Sequence, residues 1–172
     1  MNERIHRPRR EDRWPVGHLG WAFMGLPEFE GRVASFLVEG HARGERQVFI
    51  VDDPRAALWP KGLVERGDLL IFSTAEAYGQ AMIIDAAAQR AAFESSLAQA
   101  IELGYTGLRI AADNTSLTLD PERLEAWMRW EEEAELLMQA KPITGLCAFD
   151  RTRSDAATIK ALMSMHPVAV GF

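Results

Sequence analysis

Short apolar runs alternate along the chain with longer stretches in which apolar residues recur at helical spacing. This alternation is typical of a parallel β-sheet covered by helices, because neighbouring parallel strands need a crossover element between them. Six runs have the length and composition of buried strands, namely 18–24, 47–52, 68–72, 107–112, 143–149 and 168–172. The pattern predicts an α/β fold, a three-layer sandwich with a central, mostly parallel sheet of about six strands.

Helical spacing marks three stretches between the predicted strands. The first begins at Pro27, the second covers 86–103, and the third covers 121–140 with Asp120 as its N-cap. The residues predicted to face the sheet are Phe29, Val33, Phe36 and Leu37 in the first helix and Ala91, Leu97, Ala98 and Ile101 in the second. The stretch 73–85 has weak periodicity, and a loop, a short helix and a lid all stay open for it.

Composition limits the class of protein. With 172 residues, 48% of them hydrophobic, the chain can bury one core, and a net charge of −6 argues against direct nucleic-acid binding. Residues 1–13 hold five arginines against three acids, which predicts a flexible basic tail before a single domain at 14–172. A basic arm that contacts phosphate is the alternative for this segment.

The number of cysteines and the length of the apolar runs indicate the cellular compartment. Cys147 is the single cysteine, so the chain cannot close an internal disulfide. No apolar run approaches the roughly 18 residues needed to cross a bilayer, and the N-terminal arginines lack the apolar stretch of a signal peptide. We expect a cytoplasmic protein without a membrane partner.

The loop after the first predicted strand has nearly the glycine spacing of a phosphate-binding P-loop. Gly25 and Gly31 are followed by Arg32, whereas the motif needs a lysine and a hydroxyl residue there. Glu28 and Glu30 would also repel phosphate. The sequence therefore argues against nucleotide hydrolysis.

The histidines and the single cysteine are candidates for metal binding and for nucleophilic catalysis. No pair has H-x-x-x-H, C-x-x-C or H-E-x-x-H spacing, although His18, Cys147 and His166 could assemble in three dimensions. His18 and His166 open their strands, whereas Cys147 lies near the end of its own, which predicts opposite edges of the sheet. We therefore predict no metal site and no cofactor, and Cys147 as a core residue or part of a pocket lining.

The helix at 121–140 points a carboxylate inward. Trp127, Trp130, Glu131 and Ala134 share one face by their spacing, and the residues predicted to form the solvated side are Glu132, Glu133 and Glu135. A buried Glu131 needs a partner because an unpaired buried carboxylate is costly, and both a protein donor and a ligand stay open for that role.

Several motifs together resemble one family. They are H-L-G-W-A-F, F-L-V-E-G-H-A-R-G-E-R, Q-V-F-I-V-D, G-Y-T-G-L-R-I, D-P-E-R-L-E, P-I-T-G-L-C-A-F-D-R and a final H-P. In this order, from about His18 to the end, they resemble the MEDS sensory domain, named for methanogen and methylotroph proteins and for the DcmR regulator of dichloromethane metabolism. His18, Glu131, Cys147, Asp150 and His166 match family motif residues. The chain departs from the family at 111–117, where A-A-D-N-T-S-L replaces a G-E-M-S-W-like segment.

The resemblance implies a domain that senses simple hydrocarbon derivatives and works with a kinase, anti-sigma or transcription-factor module. It also implies a fold related to RecA and KaiC but without a P-loop. The function predicted here is a non-enzymatic sensor of a small organic molecule. Its predicted pocket is lined by Phe23, Met24, Trp130, Glu131, Cys147 and Asp150.

Two rival functions stay open. An enzyme of RecA-like type would use Asp113, Asp150 or Glu131 as general base, and a degenerate nucleotide-binding protein would bind nucleotide without hydrolysis. A protein-interaction module, including a homodimer, would use an edge strand or the tryptophan helix as its interface.

Overall fold

A central sheet organises the molecule, for which a computed structural model describes residues 13–54 and 67–170. Its strands are β1 (His18–Phe23), β2 (Arg46–Val51), β3 (Leu69–Ser73), β4 (Leu108–Asp113), β5 (Ile143–Asp150) and β6 (Val168–Val170). All pairs are parallel, in the order β3-β2-β4-β5-β1-β6. The predicted six-stranded sheet is confirmed. The predicted tail at 1–13, apart from Arg13, and the last two residues of the sixth predicted strand lie outside the described residues.

Helices cover both faces of the sheet. They are α1 (Leu26–Ala42), α2 (Thr74–Tyr78), α3 (Ala86–Glu102), α4 (Thr115–Thr118), α5 (Pro121–Ala140) and α6 (Ala156–Ser164). Helix α1 packs on one face through Phe29, Val33, Phe36 and Leu37, as predicted. The other face packs against α3, α5 and α6, whose buried residues form a second core that includes the fully buried Trp127. The three-layer sandwich is therefore confirmed, and no helix in the described ranges is long and apolar enough to cross a membrane.

Polar caps fix where the helices begin. The Asp120 carboxylate accepts hydrogen bonds from the backbone N–H groups of Glu122 and Arg123, and Pro121 stands in the first turn of α5, as predicted. Asp155 caps α6 in the same way through the N–H of Thr158. These caps satisfy donors that have no partner inside a helix.

Helix α3 buries Leu97 as predicted, but its other buried residues differ from the predicted ones. Its buried residues are Gln89, Phe93, Leu97 and Ala100, whereas Ala91 and Ala98 face solvent and Ile101 is 48% exposed. An alanine-rich helix has a weak apolar stripe, so the large Phe93 ring, which packs edge-on against Trp130, determines the inward face.

The structure also defines two segments that the pattern left without an assignment. Within residues 73–85, the short helix α2 begins with a capping box between Ser73 and Glu76, and a turn through Gly79 and Met82 follows it. Met82 has a positive φ of 54°, which is rare for a residue with a side chain. Helix α6 connects β5 to β6 and had no counterpart among the predicted helices.

Candidate functional site

The residues predicted to line one pocket are distributed over four places. Trp130 and Cys147 lie in the core between the sheet and α5, with Glu131 buried beside them. Phe23 packs against Phe29 on the opposite face of the sheet, because alternate strand residues point to opposite faces. Met24 is 59% exposed. The structure therefore does not bring the whole set together at one place.

Asp150 also lies apart from Glu131. It is half-buried at the end of β5, where its carboxylate accepts hydrogen bonds from the backbone N–H and the hydroxyl of Thr152. Asp150 thus shapes the turn after β5.

Four polar side chains meet in the core between the sheet and α5, and we call them the polar cluster: His18, Glu131, Cys147 and His166. One ligand atom from each lies within 4.8 Å of those of the other three, and all four residues are buried. The Oε2 atom of Glu131 lies 3.1 Å from His18 Nε2 and 3.0 Å from His166 Nε2. The Cys147 sulfur lies 3.6 Å from His18 Nε2 and 3.6 Å from Glu131 Oε1.

The polar cluster corrects the prediction that the histidines and the cysteine lie at opposite edges. His18 pairs in register with Gly145, so Cys147 is only two residues further along the neighbouring strand. Both side chains point to the same face of the sheet, because residues two apart on a strand share a face. The strand β5 extends three residues beyond Cys147, which places the cysteine in its interior and not at its end.

Gly20 makes room for the ring of His166 in the polar cluster. A Cβ atom at Gly20 would lie 2.6 Å from Cγ and 2.7 Å from Nδ1 of the His166 ring. Any larger residue at this position of β1 would displace the ring. The sequence therefore positions His166 through the absence of a side chain on the adjacent strand.

Each histidine uses its second ring nitrogen for a bond outside the cluster. His18 Nδ1 lies 2.9 Å from a carboxylate oxygen of Glu135, and His166 Nδ1 lies 2.9 Å from the carbonyl oxygen of Leu162. A carbonyl and a carboxylate only accept, so both Nδ1 atoms carry hydrogen. Glu135, predicted to be solvated, is instead half-buried because α5 places it one turn after Glu131, above the ring of His18.

Burial and charge shift the titration of the cluster. Burial alone would lower the pKa of His18, but the carboxylates of Glu131 and Glu135 outweigh it and raise that pKa above its ordinary value. Burial would raise the pKa of Glu131, but His166 and His18 hold it below the ordinary value. Burial raises the pKa of the Cys147 thiol well above its usual range, and the charge of Glu131 adds to the effect.

Aromatic and amide groups surround the cluster. Tyr78 is buried in the same core as Cys147, and burial raises the pKa of its hydroxyl well above the usual range, with smaller contributions from Cys147 and Glu131. The rings of Trp127 and Phe149 pack 6.4 Å and 5.8 Å from His166. Two buried polar atoms here, Trp127 Nε1 and Asn114 Oδ1, have no hydrogen-bond partner among the described residues.

The remaining acids near the carboxyl ends of the strands bond to protein groups. Asp113 accepts from the N–H and hydroxyl of Thr115, and Asp52 accepts from the hydroxyls of Thr74 and Ser116. Burial raises the pKa of Asp113, and the Thr115 bonds only partly oppose this.

The loop between β1 and α1, which lacks the lysine of a P-loop, holds a carboxylate at the start of the helix. The Glu28 carboxylate accepts from the backbone N–H of Met24 at 2.6 Å. A carboxylate therefore occupies the helix N-terminus, the place where a P-loop would hold phosphate.

Sequence reasoning missed the contributions of Gly20, Tyr78 and Glu135. Gly20 has a detectable signal, since a glycine inside an apolar strand marks a close approach by another group. Glu135 lies four residues after Glu131 on the same helix, a spacing that places both carboxylates near one partner. Tyr78 gave no signal, because its position depends on how the irregular segment after α2 folds over the core.

Comparison with known proteins gives one family. A family model described as MEDS, the methanogen/methylotroph and DcmR sensory domain, matches residues 17–167. This range contains every member of the polar cluster. No curated protein matches the sequence.

Proposed function

The chain belongs to the MEDS family of sensory domains, and from that premise we propose that it binds a small, mildly polar organic molecule beside the polar cluster and relays this binding to a regulatory protein. The observation that carries the proposal is a group of buried polar side chains inside an otherwise apolar core. Apolar surroundings with a few placed polar groups are what a small-molecule site requires.

Two unsatisfied atoms support the position of the proposed ligand. The Oδ1 of Asn114 can accept a hydrogen bond and the Nε1 of Trp127 can donate one, and a buried polar group without a partner costs free energy. A hydroxyl group on a short carbon chain could bond to either atom while its carbons contact Phe149. We therefore propose a simple hydrocarbon derivative as the ligand class.

The segment after α2 offers a way into this core. Tyr78 is followed by Gly79 and by Met82, both with positive φ, and the Met82 sulfur lies 3.9 Å from the Ser116 hydroxyl. A non-glycine residue in this conformation is strained, and a change in the conformation of the segment would release that strain. Its movement would open the core beside Tyr78.

Helix α5 is the proposed relay. Its inner face carries Trp127 and Glu131, whereas Met128 and Leu136 are 44% and 55% exposed on its outer side. A ligand that displaces the inner face would move the outer face as well, because a helix shifts as a unit. The proposed partner is a kinase, anti-sigma or transcription-factor protein.

The proposed role is non-enzymatic. Each acid considered as a general base, Asp113, Asp150 and Glu131, is engaged by neighbouring side chains in the folded protein. The carboxylate at the α1 N-terminus also argues against nucleotide chemistry.

A ligand panel tests the proposal. Purified chain is heated with short alcohols, chloromethanes, methylamines and nucleotides with magnesium, and native mass spectrometry reports bound mass. We expect an organic compound of this class to raise the melting temperature, since binding to the folded state alone stabilises it. The variants Asn114→Ala and Trp127→Phe should weaken that stabilisation.

Trp21→Phe is the matched control, because it removes another buried indole on the opposite face of the sheet. An equal loss of ligand response in Trp21→Phe and Trp127→Phe would contradict the proposed position. Stabilisation by nucleotide alone would favour the degenerate nucleotide-binding alternative, and no response to any compound would favour a protein-interaction module.

A further inference from the structure

We infer that the polar cluster is a zinc site in which His18 Nε2, His166 Nε2, Cys147 Sγ and a carboxylate oxygen of Glu131 bind one Zn²⁺. The donors come from β1, from the turn before β6, from β5 and from α5. The site is independent of the ligand proposed above, so either can hold without the other.

The spacing of the donors agrees with tetrahedral zinc. Nitrogen and oxygen ligands lie about 2.0–2.2 Å and sulfur about 2.3 Å from zinc, so tetrahedral ligands lie roughly 3.3–3.8 Å from one another. The separations around Glu131 and Cys147 are 3.0, 3.1, 3.6 and 3.6 Å. All four donor atoms lie within 4.8 Å of one another, so shifts of about 1 Å or less bring them to ligand spacing.

The histidine hydrogens are placed as zinc ligation requires. Because both Nδ1 atoms donate, to Glu135 and to the Leu162 carbonyl, a neutral ring in either histidine presents the lone pair of Nε2 to the cluster. Histidines that bind metals nearly always donate their other ring N–H to a carboxylate or a backbone carbonyl. In the polar cluster, His18 donates to a carboxylate and His166 donates to a backbone carbonyl.

Two atoms of the cluster lack a hydrogen bond. Glu131 Oε2 and His166 Nε2 are buried and lie 3.0 Å apart, yet neither has a hydrogen-bond partner of acceptable geometry among the described residues. A cation between them would satisfy both at once. Without a cation, Glu131 Oε2 contacts the two imidazoles at 3.0 and 3.1 Å but accepts no hydrogen bond of acceptable geometry from them.

The donor types favour zinc over other divalent ions. One thiolate and one carboxylate balance the charge of Zn²⁺, and two imidazoles complete a mixed set of four donors. Mg²⁺ and Ca²⁺ prefer oxygen ligands alone. On binding, the Sγ–H bond of Cys147 breaks, a Zn–Sγ bond forms and the proton leaves to solvent, as does any proton on His18 Nε2.

Metal titration of the full chain tests the site. Chain stripped of metal with a chelator is titrated with Zn²⁺ and with Co²⁺, followed by elemental analysis and absorption spectroscopy. We expect one zinc per chain and a thiolate-to-cobalt charge-transfer band in the near ultraviolet. Cys147→Ser should abolish the band, and His166→Gln should weaken zinc binding about 100-fold or more.

A second variant keeps the test valid if those proteins fail to fold. Glu135→Gln leaves all four donors in place and should weaken zinc binding about 10-fold, because it alters the partner that orients His18. His41→Gln is the control, since His41 is 45% exposed and lies outside the cluster. Absence of the cobalt band in the wild-type chain would overturn the site. Unchanged zinc affinity in folded Glu135→Gln and His166→Gln would overturn it as well, and the cluster would then be an ion pair between Glu131 and the histidines without a metal.

Discussion

The guanidinium of Arg109 is fully buried between β4 and α1. Its Nε donates to a carboxylate oxygen of Glu45 at 2.6 Å, and its Cζ lies 4.6 Å from the centre of the Phe36 ring. Gly40 of α1 makes this possible, because a Cβ there would lie 2.8 Å from Arg109 Nε. Nη1 and Nη2 have no hydrogen-bond partner among the described residues, so Glu45 is the main compensation for this charge.

Glu45→Gln should therefore destabilise the fold by about 3 kcal/mol, because it leaves a buried positive charge unpaired. Arg109→Met in the same chain should recover part of that loss, since it removes the charge and keeps an apolar chain of similar length. Urea denaturation of the two single variants and the double variant measures both effects. Glu125→Gln, which breaks an exposed pair with Arg129, should change little. A double variant as unstable as the sum of the single variants would contradict this account.

Gly20 gives a second prediction at the scale of a single residue. Gly20→Ala should destabilise the protein by about 1–3 kcal/mol in urea denaturation, because the new methyl group overlaps the His166 ring in a packed core. Gly31→Ala is the control, since a Cβ there meets nothing within 4 Å and alanine favours a helix interior. Equal stability of Gly20→Ala and wild type would show that His166 can move freely.

At the scale of the element, helix α6 supports the cluster from outside. The carbonyl of Leu162 accepts from His166 Nδ1, and the helix begins at the Asp155 cap. Hydrogen bonds from the backbone N–H and the hydroxyl of Thr158 hold the pKa of Asp155 below its ordinary value. A lowered carboxyl pKa stabilises the fold above the unfolded-state pKa, and this stabilisation is lost as the pH falls through the folded-state pKa.

Asp155→Asn should consequently lower stability near pH 7 and have a smaller effect near pH 3. Asparagine keeps a capping oxygen but carries no charge, so the variant isolates the titration from the cap itself. Urea midpoints of both proteins across this pH range provide the measurement. A difference in urea midpoint between the two proteins that stays constant with pH would contradict a stabilising charge on Asp155.

Most elements could be predicted because each depends on local pattern. The strands are short apolar runs between polar turns, and α5 has Asp120 and Pro121 to define its start. The inward face of α3 could not be predicted in this way, since its alanines are nearly interchangeable and the choice depends on Phe93 meeting Trp130. Helix α2 depends on a capping box within a weakly periodic stretch.

At the scale of the whole molecule, the proposed zinc would add to the stability of the fold. Zinc that binds only the folded chain stabilises it by about 2.7 kcal/mol at a hundredfold excess over the dissociation constant. For a domain of this length that corresponds to a rise of roughly 5–10 °C in melting temperature. Calorimetry of metal-free and zinc-loaded chain measures the rise, and a chelator should reverse it. Mg²⁺ at the same concentration should have no effect, and a melting temperature insensitive to zinc would count against the site.

The polar cluster could not be predicted from spacing, because its members are brought together by the order of the strands. His18 and Cys147 are 129 positions apart in sequence and touch only because β1 pairs with β5. The inward direction of Glu131 was predictable from helix periodicity, and it is confirmed. Which partners it meets depends on strand register, and hydrophobic pattern alone does not determine the register between distant strands.

The place of β1 in the sheet has a consequence for biosynthesis. This strand lies between β5 and β6 and pairs with no other strand of the described residues, so both of its partners come after β2, β3 and β4 in the sequence. While the ribosome is still adding residues before Ile143, the apolar side chains of β1 have no neighbouring strand to cover them. The nascent chain must therefore keep β1 unpaired until β5 has been made, and this side of the sheet closes only after β2, β3 and β4 have left the ribosome.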